Sequence, residues 1–183
     1  MRYSETMSKN AQEWIELDEA KNHVKALPDD TDDDLISNLI IAAREYCEGI
    51  TGRAIAVREM TAFPDSIGGR LFLPKPPVKS IESITAYDRD GNKHTFSDYS
   101  FNESTGEVFL GSVPAITPRD YNPYVIKYTA GYREIPKLMK QAMLLMIGHW
   151  YINRESVVVG SNATVDVGLT TKDLLRQFKV WWF

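Results

Sequence analysis

Three groups of side chains in this sequence are of types that could do chemistry. The first is the acidic run Asp29, Asp30, Asp32, Asp33 and Asp34. Clustered carboxylates hold a divalent cation when their oxygens fold round one point, with a glycine turn and a closing glutamate as in calcium loops. This run has neither, and it reads as the solvated first turn of a helix, where the helix dipole favours acids. The second group is the histidines, His23, His94 and His149, with Cys47 as the single cysteine. They form no HExxH pattern and no His–Cys spacing that would hold zinc. His149, beside Trp150 in an apolar stretch, reads as a structural or interface residue. Cys47 lies near an apolar helix face, reads as a small core residue, and cannot form an internal disulfide. The third group, Asp65, Ser66 and His94, contains the residue types of a nucleophilic triad, but a chain of 183 residues offers many such triples. Gly68-Gly69-Arg70 lacks the GxxxxGK[ST] pattern and precedes a strand, so it is not a phosphate loop. No catalytic, cofactor-binding or metal-binding residue is assigned, no cofactor is expected, and the chain is not expected to be an enzyme.

The elements that carry these residues follow from periodicity and punctuation. Residues 1–13 are polar and aperiodic and are expected to form a flexible arm or a leftover leader. A short helix is expected over 17–27, with Asp18 as its cap and Pro28 as its stop. The clearest helix spans 31–51. Thr31 is its expected N-cap, and Leu35, Leu39, Ala42, Ala43, Tyr46 and Ile50 mark one face. Gly52 is placed to end it. Between about 56 and 129, prolines and glycines break the chain into short pieces rich in branched and aromatic residues: 56–63, 70–73, 78–87, 93–96, 107–110 and 124–128. Asp90-Gly91 marks a hairpin turn. Pro136 opens a helix over 136–153 that is apolar on more than one side, as in a deep core or a subunit interface. A loop containing Val157–Thr164 follows, then a helix over 171–179. The chain closes on Trp181, Trp182 and Phe183, which either fold back on its own core or dock onto a partner. The expected fold class is α+β, with residues 14–183 as one domain. Two long helices and the short terminal helices form a mainly helical core, and a small antiparallel β module is inserted.

The composition narrows the classes of function. Apolar residues make up 43% of the chain and charged residues 25%, a globular balance. A net charge of −4 and an isoelectric point near 5.4 weigh against a protein that coats nucleic acid. A local basic patch of Lys137, Lys140, Arg154, Lys172, Arg176 and Lys179 keeps a DNA-binding or packaging accessory role as the alternative. A small hydrolase is a second alternative, without a motif to support it. No stretch reaches the 18 or so apolar residues of a membrane span. The first residues lack the apolar core of a signal peptide, so synthesis and assembly in a cytoplasm are expected.

The ordered set of segments resembles a known family. In turn come LDEAKNHVKAL, DDTDDDLISNLIIAAREYCEGITGRAI, LPKPPVKSIESITAYDRDG, VIKYTAGY, IPKLMKQAMLLMIGHWYINRE and a closing helix with Leu174-Leu175. This resembles the head–tail connector, or head-completion, proteins of long-tailed bacteriophages and prophages, in the branch with a β insertion. The resemblance runs from about Trp14 to Phe178 and is strongest over Thr31–Arg53 and Pro136–Glu155. It implies a virion protein of the neck, assembled as a ring that is often dodecameric. Such a ring joins the portal protein to a stopper or tail-completion protein, and double-stranded DNA passes through it. It also implies portal docking by the residues after Arg154, ending in Trp181, Trp182 and Phe183, although so aromatic a terminus departs from the family pattern. Tyr46, Met139, Met143 and Trp150 are the candidates for core or subunit packing.

Overall fold

The computed structural model describes residues 1–7, 13–26, 29–113, 115–153 and 167–181. The chain divides into two compact units. One comprises Met1–Gln12 and Arg53–Arg133, the other Glu13–Gly52 and Glu134–Phe183.

The first unit is built from strands. Their ranges are β1 Arg2–Met7, β2 Arg58–Phe63, β3 Arg70–Phe72, β4 Val78–Tyr87, β5 Lys93–Phe96, β6 Tyr99–Asn102, β7 Glu107–Leu110 and β8 Tyr124–Ala130. They form a five-stranded antiparallel sheet in the order β1-β2-β8-β4-β5 and a three-stranded antiparallel sheet in the order β3-β7-β6. Side chains alternate across a strand, and the register aligns the buried ones. Met60 lies opposite Tyr128, Ala62 opposite Ile126, and Ile84 also opposite Ile126. Leu71, Val108 and Leu110 of the smaller sheet join the same hydrophobic cluster. Tyr128 is buried at the centre, and its hydroxyl donates to the Pro74 carbonyl at 2.7 Å, which satisfies both groups away from water. The Asp88–Asn92 turn joins β4 to β5, with Gly91 at φ +86°.

The second unit is helical: α1 Leu17–Val24, α2 Asp33–Thr51, α3 Lys137–Ile152 and α4 Val167–Arg176. Gly52 ends α2 in the left-handed conformation, its N–H donating to the Glu48 carbonyl at 3.0 Å. The buried stripe of α2 runs through Ile36, Ile40, Ala43, Cys47 and Thr51, and Arg44 and Glu48 are buried beside it. Leu35, Leu39, Ala42, Tyr46 and Ile50, expected on the inner face, are only half-buried. On α3, Met139, Ala142, Met143, Leu144, Met146 and Ile147 are buried, and this helix packs against each of the other three. Tyr151 near its end donates to Asp32 at 2.5 Å. After α4, the Val180 N–H donates to the Thr51 carbonyl at 2.9 Å and draws the chain onto the end of α2.

The expected fold class needs correction. The chain is not a helical core carrying a small β module. Helix takes 32% and strand 29%, and the strands form two sheets with a hydrophobic cluster of their own. Many strands are only three to seven residues long, so each looks minor alone. Stability comes from cross-strand pairing and shared burial, which run lengths do not display. Residues 2–7, expected in a flexible arm, form β1 on the edge of the larger sheet. The helices begin and end within a few residues of the expected positions except for α4, which starts earlier, at Val167.

Candidate assembly surfaces

Several of the side chains singled out for chemistry have structural tasks. His94 Nε2 donates to Asp88 Oδ2 at 2.9 Å. Asn92 donates to the same carboxylate through its backbone N–H at 2.8 Å and its side-chain amide at 3.0 Å. The His94 hydrogen bond first, and those of Asn92 next, hold the Asp88 carboxyl down to about 2. This cluster braces the β4–β5 hairpin. Asp65 pairs with Arg2 at 3.1 Å, both exposed, so Asp65, Ser66 and His94 do not form a relay. Cys47 is buried, and desolvation pushes its thiol up to about 12, so it carries essentially no thiolate at neutral pH. His149 Nδ1 lies 3.2 Å from the Asn153 amide at the end of α3. Among the described residues no three metal-ligating side chains converge, and no helix is long and apolar enough to cross a membrane.

The acidic run is divided between tasks. Asp33 pairs with Lys21 at 2.5 Å, and that hydrogen bond raises the Lys21 ammonium above its ordinary range. Asp32 accepts from Tyr151. Asp29 Oδ1 takes the Thr31 N–H at 3.4 Å. Asp30 and Asp34 point outward, and among the described residues neither makes an ion pair. Thr31, the expected N-cap, lies in the preceding turn, and Asp32 occupies the cap position without a side-chain capping bond.

The packing and docking candidates separate sharply by exposure. Met139 and Met143 have no accessible surface and belong to the interior of the helical unit. Tyr46 and Trp150 are half-buried and meet edge to face with ring centroids 5.9 Å apart, a geometry that aromatic quadrupoles favour. Trp181 is 68% exposed. Trp182, Phe183, Arg154 and the Val157–Thr164 run lie outside the described residues.

Trp181 forms one wall of a groove of about 460 Å³, which it shares with Lys172, Arg176 and Lys179 of the expected basic patch. Gly49 and Ile50, from the last turns of α2, line another part of it. Lys172, Asp173 and Arg176 of α4, followed by Lys179, supply the charge. Lys179 Nζ stands 4.9 Å from the Trp181 ring centroid, within cation–π range. The signal for this site was in the sequence: a Lys172/Arg176 pair four apart on one helix, then Lys179 two residues before Trp181. Of the other basic-patch residues, Lys140 pairs with Glu19 at 2.7 Å and Lys137 is exposed.

A family model of head completion proteins matches residues 13–171. No curated protein matches the chain in sequence. Among solved structures, the chain resembles one in the virion of a native gene transfer agent particle, with TM-score 0.73 and 18% identity. The likeness covers 100% of this chain and 97% of that one. Chains in the neck of the empty particle computed with C6 symmetry and of the native particle computed with C12 symmetry also have TM-scores of 0.73, at 17% and 18% identity over the same shares. At such identities the likeness is one of fold. With the family model spanning nearly the whole chain, the protein belongs to the head completion protein family and has that family's structural role at the head–tail junction of a phage-type particle.

Proposed function

We propose that this chain is the repeating subunit of a neck ring, present in twelve copies, and that it catalyses no reaction. The ring sits between the portal protein and a stopper or tail-completion protein and surrounds the double-stranded DNA without reading its sequence. The observation that carries this reading is family membership over residues 13–171. The fold shared with a chain of a neck computed with C12 symmetry supports the subunit number. A net charge of −4 suits a conduit, because a basic lining would hold phosphates and slow their passage. The structural tasks of Asp88, His94 and Cys47 support a purely mechanical role. Particles made without this chain are expected to accumulate as unjoined heads and free tails in electron micrographs. Finished, infectious or DNA-transferring particles in its absence would contradict the proposal.

A further inference from the structure

We infer that the groove beside Trp181 receives the acidic turn Asp29–Asp34 of a second copy of this chain, making the head-to-tail contact of the ring; the inference rests on the ring reading above. The two surfaces are complementary in charge. Among the described residues, Lys172, Arg176 and Lys179 set three cations against one acid, Asp173, along the groove. All four are exposed, and among the described residues none makes an ion pair. Asp30 and Asp34 are exposed acids that make no ion pair among the described residues, on a turn whose shape is held by Lys21, Thr31 and Tyr151.

The two surfaces cannot meet within one molecule. Both belong to the helical unit, at opposite ends of α2. The acidic turn precedes Asp33, and Gly49 and Ile50 line the groove. A rise of about 1.5 Å per residue puts the ends of this helix about 27 Å apart. A surface complementary to a different patch of the same molecule makes a heterologous contact, which repeats from copy to copy and closes into a ring when the rotation allows. Each subunit then gives one turn and receives one.

The groove also fits such an occupant in size and lining. A volume of about 460 Å³ admits a few side chains of a turn. Trp181 supplies a broad apolar wall of the residue type enriched where interface energy concentrates, and covering it removes a costly exposed indole from water. DNA phosphate is the other anion that could enter. Asp173 inside the groove and the acidic balance of the chain weigh against it.

The test is a charge swap in the full-length chain, assembled on the portal protein of the same genome and viewed by negative-stain microscopy. Asp30→Lys with Asp34→Lys, and separately Lys172→Glu with Arg176→Glu, are expected to lose rings. Mixing the two variants in equal amounts is expected to restore rings of alternating copies, because each then meets its complement on both sides. Circular dichroism checks that each variant is folded. The milder Asp30→Asn with Asp34→Asn, which keeps the helix start polar, is expected to assemble only at lower salt, since exposed pairs are screened. Either reversed variant forming rings as the parent does would overturn the contact and leave the ring reading standing. So would failure of the mixture to restore rings. Loss of duplex-DNA binding with rings intact in the groove variant would overturn it in favour of a phosphate site. No ring from the parent chain on the portal would remove the ring reading itself.

Discussion

Replacing Gly131 with alanine is expected to destabilise the protein by about 4 kcal/mol and to lower its thermal midpoint by about 10–15 °C. Gly131 follows β8 with φ +125°, a conformation that side chains strain to adopt, at a cost of about 1–3 kcal/mol. A Cβ there would stand 2.7 Å from both the Ala56 carbonyl oxygen and the Val57 Cα. Both are backbone atoms and cannot rotate away, so an overpacking cost of about 1–3 kcal/mol is added. The Gly131 N–H also donates to the Pro77 carbonyl at 2.9 Å, which ties the segment in place from the other side. Gly49 is the control. It lies within α2 with nothing among the described residues within 4 Å of the position of its Cβ, so Gly49→Ala is expected to stabilise by up to about 1 kcal/mol through helix propensity. Calorimetry checks both, and a Gly131→Ala midpoint within a degree or two of the parent would contradict the geometry.

Arg44→Met is expected to cost about 3–5 kcal/mol, whereas Arg44→Met combined with Glu48→Leu is expected to recover most of that loss. The Arg44 and Glu48 side chains are each 5% exposed and lie 3.3 Å apart, one turn from each other on α2. Arg44 also holds Glu13 at 2.9 Å and Glu45 at 3.6 Å. Removing the cation takes a charge partner 3.3 Å away from a buried carboxylate and releases Glu13 and the segment before α1. Replacing both partners by apolar side chains of similar length removes the desolvation cost along with the attraction. Urea unfolding distinguishes these outcomes, because the midpoint moves while the slope holds if only stability changes. A single variant as stable as the parent would contradict the stabilising role assigned to the Arg44–Glu48 pair.

The helices were legible because their signals are local. The acidic first turn, Gly52 and the Pro136 start each act within a few residues. The inner face of α2 was displaced by one position because apolar residues sit side by side there, as at Leu35-Ile36 and Leu39-Ile40. Spacing alone does not choose between two adjacent stripes. The buried Arg44–Glu48 pair was invisible for the opposite reason: charged residues read as a wet face until the partner is seen. The Asp90-Gly91 hairpin could be read from turn chemistry. β1 could not, since Arg2, Tyr3 and Ser4 are all exposed and the strand is held to β2 by pairing with no apolar alternation to show it. The sheets were undervalued because β2, β8 and β4 come from segments far apart in the chain, so the joint burial of Met60, Ile126 and Ile84 is a tertiary fact. Among the docking candidates, Trp181 stood out as an aromatic residue costly to expose, whereas the groove it shares with Lys172 and Arg176 depends on the return of the chain to the end of α2 through Val180 and Thr51.

The most direct test of the neck assignment is the mass and shape of the full-length chain mixed with the portal protein of the same genome, by light scattering and electron microscopy. A ring of twelve copies coaxial with the portal is expected, whether or not the chain forms rings alone. A chain that remains monomeric and leaves the portal bare would contradict it.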